Sequence, residues 1–277
     1  KGLGSLYAKK NLKLNFGNSG TLARLLIGLL TSTPNIILNL TGDHSLKKRS
    51  MKKLILLMSK FGASFKPKNK FNFPLKIISS PLPIGIKYKS GVSAQLKSAV
   101  ILAGLNSYGV TKIFEKNRSR DHTERMLAYN KNVTKINEKK AIRTIEIKGK
   151  ETLKNFKIKI FGDPSSAAFF CSLTALKKGS YLKILNVGIN KTRIGFYQIL
   201  KKFGGKVKFV NKKMINNESY ADIIVKHSNL KPIKASKEYY VKATDEYPIL
   251  FVLAGLTKGI SIFRGIDDLA NKESNRI

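Results

Sequence analysis

The sequence contains one cysteine, Cys171, among its 277 residues. A single thiol forms no intramolecular disulfide, and no second thiol is present to build a zinc or iron–sulfur site, so a reducing compartment is expected. The chain also lacks any run of about 18 uninterrupted apolar residues, the length that spans a bilayer. Residues 1–15 lack a continuous apolar segment with a small-residue cleavage site. These absences predict a soluble, cytoplasmic protein with no membrane partner.

Acidic residues are scarce: 16 Asp and Glu stand against 53 Lys and Arg, which gives a net charge of +37. Such a charge is typical of proteins that bind nucleic acid or another polyanion. Only 9 of the basic residues are Arg, whose planar fork suits phosphates and base edges, and no block of five or more like charges occurs. We therefore interpret the lysines as a solvated surface and expect no nucleic-acid partner. Salt-resistant binding of random oligonucleotides would contradict this interpretation.

An internal repeat organises the chain. Four segments begin with small or polar residues, continue as an apolar helix pattern, reach a glycine and enter a β-type run. They start near Ser19, Ser93, Ser165 and Asp245, at spacings of 74, 72 and 80 residues. The strands that follow are predicted at Ile36 to Leu40, Val110 to Phe114, Tyr181 to Leu185 and Ile260 to Arg264. The pattern predicts helices packed on mixed sheets around a pseudo-symmetric α/β core.

Two further patterns predict local structure. Second helices end in Lys-Phe-Gly at Gly62 and Gly204, where glycine favours a left-handed cap. Apolar and polar residues alternate between Lys139 and Phe161, which predicts half-buried strands, the last of them containing Phe156, Ile158 and Ile160. We place a domain boundary after this stretch, between residues 161 and 162.

The starts of the first three repeated helices combine free backbone amides with serine or threonine side chains. Such helix ends suit an anion, because amide donors and the positive end of the helix dipole meet there. Taken singly, each serine is better interpreted as an ordinary N-cap. These helix starts occupy equivalent positions in the repeats, which favours a shared site between repeats. An arginine-bearing loop also follows in each repeat, and the arginines of the four successive loops are Arg49, then Arg118 with Arg120, then Arg193, and then Arg276.

Seven strings cover nearly the whole chain: NSGTLARLL from Asn18, GDHSLKKRSMKKL from Gly42, SAQLKSAVILAGL from Ser93, SRDHTERML from Ser119, GDPSSAAFF from Gly162, DEYPIL from Asp245 and NKESNRI from Asn271. In this order they resemble the 5-enolpyruvylshikimate-3-phosphate synthases, with most similarity to the bacterial class typified by glyphosate-tolerant enzymes. The resemblance implies an inside-out α/β barrel of the enolpyruvyl transferase type, in which two domains of three related units close on substrates. Residues 1–161 would form the upper, shikimate-3-phosphate-side domain, and residues 162–277 an incomplete lower domain.

The family's activity is the transfer of the enolpyruvyl group of phosphoenolpyruvate to the 5-hydroxyl of shikimate-3-phosphate, with release of phosphate, on the pathway to chorismate and the aromatic amino acids. The resemblance implies these two substrates, no metal or organic cofactor, and a monomer. The family's N-terminal Lys-Ser pair and its C-terminal phosphoenolpyruvate-binding segments have no counterpart here. The chain is therefore expected to be an internal fragment, inactive alone.

The resemblance implies substrate-binding roles for Gly20, Arg49, Ser93, Ala94, Gln95, Arg120, Lys272 and Arg276. Arg49 resembles the arginine that grips the phosphate of phosphoenolpyruvate, and Arg276 the one that grips its carboxylate. Residues 93–95 match the turn that binds the phosphate of shikimate-3-phosphate, with the glutamine also near phosphoenolpyruvate. Arg120 matches a residue packed against the shikimate ring. Gly20 borders phosphoenolpyruvate, and the room beside it predicts sensitivity of a complete enzyme to glyphosate.

Two acids carry the implied proton transfers. Asp245 resembles the carboxylate that accepts the 5-hydroxyl proton, and Glu273 the acid that shuttles a proton at the methylene carbon. From the residues alone, Asp245 could cap the helix that starts at Tyr247. Glu273 could pair with Lys272 or Arg276 on a solvated face. His122, in the RDHTE loop, is interpreted as a hydrogen-bond partner that orders the loop.

Two alternative functions remain from the sequence. The first is the related enolpyruvyl transferase that acts on UDP-N-acetylglucosamine, which is expected to carry a reactive cysteine in a flexible loop. The only cysteine here, Cys171, follows two phenylalanines in an apolar helix pattern, which favours the shikimate enzyme. The second alternative is the basic nucleic-acid-binding protein considered above.

Overall fold

The chain divides into two units. The structure, a computed structural model, describes residues 12–139, 141–155, 157–271 and 276–277. The first unit holds the described residues up to 117 and those of 127–155, and the second holds 118–126 and the described residues from 157 onward. The segment 118–126 therefore belongs to a different unit from the residues on either side of it. The predicted boundary at 161/162 concerns the domains of the whole protein and stays a prediction.

The first unit contains two sheets of the same design. Its elements are β1 (Lys13–Asn15), α1 (Gly20–Ser32), β2 (Ile37–Thr41), α2 (His44–Lys48), α3 (Lys52–Lys60), β3 (Ser64–Lys66), β4 (Leu75–Ile78), β5 (Lys87–Ser90), α4 (Ala94–Leu105), β6 (Val110–Glu115), β7 (Thr134–Lys139) and β8 (Ile142–Lys148). The strand orders are β1-β2-β4-β3 and β5-β6-β8-β7. In each sheet the first two strands are parallel and joined by a long helix, α1 or α4, and the other pairings are antiparallel.

The second unit repeats this design. It contains most of α5 (His122–Leu127), then α6 (Pro164–Leu176), β9 (Tyr181–Gly188), α7 (Gly195–Lys202), β10 (Lys206–Ile215), β11 (Glu218–Lys226), β12 (Lys234–Ala235), α8 (Tyr240–Ala243), α9 (Tyr247–Gly255) and β13 (Ile262–Phe263). Short 3₁₀ turns cover Lys237–Tyr239 and Asp267–Asn271. The order β10-β11-β9 is antiparallel, a parallel bridge joins Gly162 to Val187 of β9, and β12 and β13 are parallel. All four repeats thus place a helix between two parallel stretches, which confirms the predicted repeat.

The repeated helices begin where the sequence predicts, because their caps are local. Ser19 accepts a hydrogen bond from the amide of Leu22 at 3.1 Å, and Ser93 accepts one from the amide of Leu96 at 3.4 Å. Asp163 caps α6 by accepting from the amide of Ser166 at 2.8 Å. These side chains satisfy amides that the first helical turn leaves without an intrahelical acceptor.

Both predicted glycine caps are confirmed. After α3, Gly62 has a φ of +94°, and after α7, Gly204 has a φ of +98°. Only glycine adopts this left-handed region without a steric penalty, so it ends each helix at the predicted residue.

The core of the first unit depends on close packing between α1 and α4. A side-chain carbon added at Gly28 of α1 would lie 2.7 Å from the Cα of Ala99 in α4, so the two backbones approach each other too closely for any larger residue. Each unit encloses its own apolar cluster, around Ile27 and Ala99 in the first and around Phe196 and Leu250 in the second. No helix in the described part of the chain is long and apolar enough to cross a bilayer.

The strand predicted around Ile158 and Ile160 is wrong. Residues 157–160 form no strand, Ile160 is 81% exposed, and Phe156 lies outside the described residues. Alternating residues form a strand only where a neighbouring strand pairs with them, and residues 157–160 have no ladder partner among the described residues. Pairing resumes at Gly162 as a single bridge.

Candidate functional site

Two arginines converge on Gly20, the first residue of α1. Arg24 lies one helical turn further on, and its Nη1 donates to the carbonyl oxygen of Gly20 at 3.1 Å. A side-chain carbon added at Gly20 would lie 2.7 Å from Nη1 of Arg24 and 3.0 Å from Nη1 of Arg49. The space beside the start of α1 is therefore bordered by two guanidinium groups and by the positive end of a helix dipole.

Arg49 reaches this position from the end of α2. Its Nη2 donates to Oδ1 of Asn18 at 2.5 Å and to Oγ of Ser45 at 3.3 Å. Asn18 and Gly20 lie at the start of α1, which precedes β2, whereas Arg49 follows α2, which comes after β2. The segment after β2 therefore folds back onto the start of α1. Asn18 and Ser45 both accept from the same nitrogen of Arg49, so two neighbouring side chains set the direction of its guanidinium group.

Gln95 joins α4 to the same place. Its Oε1 accepts from Nη1 of Arg24 at 2.9 Å, and its Nε2 donates to Oγ1 of Thr21 at 2.7 Å. Ser93 and Ala94, predicted to bind the same substrate, are the cap and first residue of α4. The structure therefore brings together Gly20, Arg49 and Gln95 in the first unit.

Arg24 is a candidate site residue that the sequence motifs did not indicate. The signal was available, because Arg24 lies four residues after Gly20, and residues four apart share one face of a helix. Its single Nη1 atom contacts both Gly20 and Gln95. Two helix starts and two guanidinium groups in one place suit a phosphate or carboxylate anion.

The second unit contains a carboxylate held by two arginines. Nη2 of Arg120 lies 2.5 Å from Oδ2 of Asp245, and Nη1 of Arg276 lies 3.4 Å from its Oδ1. Partial burial alone would raise the pKa of Asp245, but the charges and hydrogen bonds of both arginines outweigh burial and hold this pKa below its ordinary value. Asp245 is therefore ionised at neutral pH, and 40% of its side chain stays exposed.

The segment 118–126 carries Arg120 to this carboxylate. Asp121 Oδ1 accepts from Nε of Arg125 at 2.8 Å and from Nδ2 of Asn190 at 2.7 Å. Nδ1 of His122 lies 2.6 Å from Oε1 of Glu218, the first residue of β11. These contacts are the loop-ordering role expected of His122, and they explain why the segment folds with the second unit.

The remaining predicted residues, Lys272 and Glu273, lie outside the described residues. Asp245, Arg120 and Arg276 meet in the second unit, whereas the other five predicted site residues, at positions 20, 49 and 93–95, lie in the first. Within the ranges that the structure describes, no group of three or more His, Cys, Asp or Glu side chains is arranged to hold a metal ion.

Two other features contain none of the residues predicted to bind substrate or to transfer protons. A cleft of about 440 Å³ in the second unit is lined by His122, Ile160, Phe161, Asn190 and Glu218, among others. Cys171 is fully buried in α6, and burial raises the pKa of its thiol to about 12. A thiol that stays protonated at neutral pH is a poor nucleophile, so Cys171 does not resemble the reactive loop cysteine of the UDP-N-acetylglucosamine enzyme.

Comparison with known proteins identifies the family. The family model described as EPSP synthase (3-phosphoshikimate 1-carboxyvinyltransferase) matches residues 1–277. A protein of Zymomonas mobilis named 3-phosphoshikimate 1-carboxyvinyltransferase is 41% identical over 278 residues, covering 100% of this chain and 61% of that protein. A protein of Novosphingobium aromaticivorans with the same name is also 41% identical, over 95% of this chain and 60% of its own length. The chain thus spans about three fifths of the curated relatives it matches.

Solved structures agree with these relatives. The EPSP synthase of Acinetobacter baumannii superposes with a TM-score of 0.80 at 36% identity, over 98% of this chain and 60% of that one. The enolpyruvyl transferase NikO of Streptomyces tendae superposes with a TM-score of 0.63 at 16% identity, over 84% of this chain and 54% of that one, a likeness of fold alone. The predicted α/β fold of the enolpyruvyl transferase type is confirmed. With its whole length matched by the family model, this chain belongs to the EPSP synthase family.

Proposed function

We propose that this chain contributes to the transfer of the enolpyruvyl group of phosphoenolpyruvate to the 5-hydroxyl of shikimate-3-phosphate, with release of inorganic phosphate. The observation that carries the proposal is the convergence of Arg24 and Arg49 on Gly20, with Gln95 joining α4 to the same point. Both substrates are phosphorylated carboxylates, and two guanidinium groups beside two helix starts form a receptor for such anions.

The second unit supports the proton transfer that the reaction requires. When the 5-hydroxyl oxygen bonds to C2 of phosphoenolpyruvate, the hydroxyl proton leaves and the methylene carbon gains a proton. Asp245 is ionised, half exposed and fixed between Arg120 and Arg276, so it has the form of a positioned general base. Loss of phosphate from the resulting tetrahedral carbon then returns a proton from the methyl group and restores the double bond.

Arg120 and Arg276 also link substrate binding to this base. Both are predicted to bind substrate, and both contact Asp245 in the structure. A substrate anion that draws either guanidinium away would weaken the effect that lowers the pKa of Asp245, because opposite charge stabilises the carboxylate. Substrate binding is therefore proposed to make Asp245 a stronger base at the time it must accept a proton.

The test uses a chimera in which this chain is joined to the flanking parts of the Zymomonas mobilis relative that it does not cover. Phosphate release is measured with both substrates and with each one omitted. We expect release only when both are present. Release without shikimate-3-phosphate, or with UDP-N-acetylglucosamine in its place, would contradict the proposed acceptor.

Replacing Arg24 by Met in the chimera is expected to raise the KM for phosphoenolpyruvate by about 10- to 100-fold, since hydrogen bonds to a charged group contribute about 1.5–3 kcal/mol. The change removes the bonds to Gly20 and Gln95 together. Steady-state phosphate release measures the effect. Arg264→Met is the matched control, because Arg264 is exposed; an equal loss in both variants would show that Arg24 has no specific role.

Replacing Gly20 by Ala is expected to raise the concentration of glyphosate needed for half inhibition by about tenfold or more, a cost of about 1.4 kcal/mol. The new methyl group would lie 2.7 Å and 3.0 Å from the two guanidinium groups and displace them from the anion. Inhibition curves for the wild-type chimera and the variant measure this difference. The control is Gly255→Ala, where an added carbon meets nothing within 4 Å. Equal glyphosate tolerance of wild type and Gly20→Ala would refute the prediction.

A further inference from the structure

Glu246 has a buried carboxylate that does not cap its own helix. It is the N-cap residue of α9, but its side chain makes no capping bond to that helix. Only 2% of the residue is exposed. Its Oε1 accepts the hydroxyl hydrogen of Ser165, and its Oε2 is buried without a hydrogen-bond partner among the described residues. Burying an ionised carboxylate costs free energy unless its contacts compensate. We therefore expect the hydrogen bond to Ser165 to have a structural role.

Ser165 connects this carboxylate to the start of α6. The Ser165 hydroxyl has one hydrogen, which it donates to Glu246, and its oxygen accepts from Nη2 of Arg193 at 2.7 Å. The same nitrogen lies 2.7 Å from Oδ1 of Asp163, the residue that caps α6. The first turns of α6 and α9 are therefore joined by the chain Asp163, Arg193, Ser165 and Glu246.

The residue before Glu246 is Asp245. The amide of Glu246 donates to the carbonyl oxygen of Ala243 at 3.0 Å, and its carbonyl accepts from Leu250 at 3.0 Å, so Glu246 is fixed through both its backbone and its side chain. Asp245 has no bond to α6 of its own among the contacts described. Its direction toward Arg120 and Arg276 depends on the backbone that Glu246 anchors.

We propose that Glu246 is a positioning residue for Asp245: its bond to Ser165 ties the start of α9 to α6 and so aims the Asp245 carboxylate at Arg120 and Arg276. The inference rests on the proposed function, in which Asp245 is the general base. Burial raises the pKa of Glu246, and the charge of Asp245 adds to this effect, while Ser165, Arg120 and Arg193 oppose it. A buried acid of this kind is better suited to a fixed hydrogen bond than to proton exchange with solvent.

Positioning and simple charge repulsion predict opposite results, which makes the inference testable on the 277-residue chain. The probe is the carbon-13 NMR signal of the Asp245 carboxyl, followed against pH. If Glu246 acts only through its charge, Glu246→Ala and Glu246→Gln should both leave the Asp245 pKa unchanged or lower it. If Glu246 positions Asp245, Glu246→Ala and Ser165→Ala should both raise this pKa toward the ordinary aspartate value, because the contacts with the arginines loosen.

Glu246→Gln is the conservative variant, since its amide oxygen still accepts from Ser165, and it should not raise the Asp245 pKa. Ser172→Ala is the matched control: it also removes a buried hydroxyl from α6, but one bonded only to the carbonyl of Ala168. It should lower stability without moving the Asp245 titration. An unchanged or lowered pKa in Glu246→Ala, or an equal rise in Glu246→Gln or Ser172→Ala, would overturn the inference.

Activity of the chimera separates this inference from the proposed function. Glu246→Ala and Ser165→Ala are expected to lower kcat by about 10- to 100-fold, the cost of a misplaced catalytic group. The KM for phosphoenolpyruvate should change little, and Glu246→Gln should recover most of the rate. A wild-type chimera without activity would refute the function while the NMR result still decides the inference. Normal kcat in Glu246→Ala would overturn the inference itself.

Discussion

Asp245→Asn is expected to lower kcat of the chimera by about 10²- to 10⁴-fold, the usual contribution of a general base. The amide keeps the size of the side chain and can still accept a hydrogen bond from Arg120, but it cannot take the 5-hydroxyl proton. Phosphate release at saturating substrate measures the loss. Asp267→Asn, a change at an exposed aspartate, should leave kcat unaltered.

The pH dependence of kcat/KM tests the same assignment, because it reports the free enzyme. Asp245 can act as a base only when it is deprotonated. Burial raises its pKa, but the two arginines lower it more, so this pKa lies below the ordinary aspartate value. Activity should therefore persist as pH falls past the usual aspartate range and decline only below it. Arg120→Ala should move this decline to higher pH. A decline at the same pH in both enzymes would show that Asp245 is not the group that titrates.

Lys97→Ala is expected to lower the free energy of unfolding of the chain by about 3–5 kcal/mol, the cost of removing one member of a buried ion pair. Lys97 in α4 and Glu115 in β6 have completely buried side chains, and Nζ lies 2.8 Å from Oε1. Arg143 contacts the other oxygen of Glu115 at 3.5 Å. This pair joins the helix that carries Gln95 to the sheet beneath it, so its loss should also loosen the candidate site.

Urea unfolding of the chain measures this effect, with an exposed ion pair as the control. Nζ of Lys112 lies 2.9 Å from Oε1 of Glu146, but these side chains are 41% and 26% exposed. Lys112→Ala should cost about 1 kcal/mol or less, because water screens such a pair and fixing its two long side chains costs conformational entropy. A similar cost for both lysine variants would mean that burial of the Lys97 pair has no energetic consequence.

The two units differ in the groups that their arginines contact. In the first, Arg24 and Arg49 face a space beside Gly20 and are held by neutral oxygens of Gly20, Gln95 and Asn18. In the second, Arg120 and Arg276 face an anionic side chain, Asp245. Among the contacts described, the first arrangement pairs guanidinium groups with neutral oxygens, whereas the second sets two guanidinium groups against one carboxylate.

The sequence by itself determined the features whose causes are local. Helix periodicity, capping serines and the glycines at 62 and 204 depend on residues within a few positions of each other, so the repeat and its helix starts were predictable. The family strings also indicate Gly20, Arg49, Gln95, Asp245 and Arg276 as candidate site residues. These residues are identified by their order in the chain, which needs no three-dimensional information.

Only the tertiary structure decided which of these residues meet. Arg24 and Gln95 are 71 positions apart, and Ser165 and Glu246 are 81 apart, so no local pattern reports either contact. The transfer of segment 118–126 to the second unit depends on its bonds to Asn190 and Glu218. The residues near Ile160 alternate between apolar and polar side chains but form no strand, for the same reason. Strand pairing and burial depend on partners distant in sequence, whereas helix caps and helix periodicity depend on neighbouring residues.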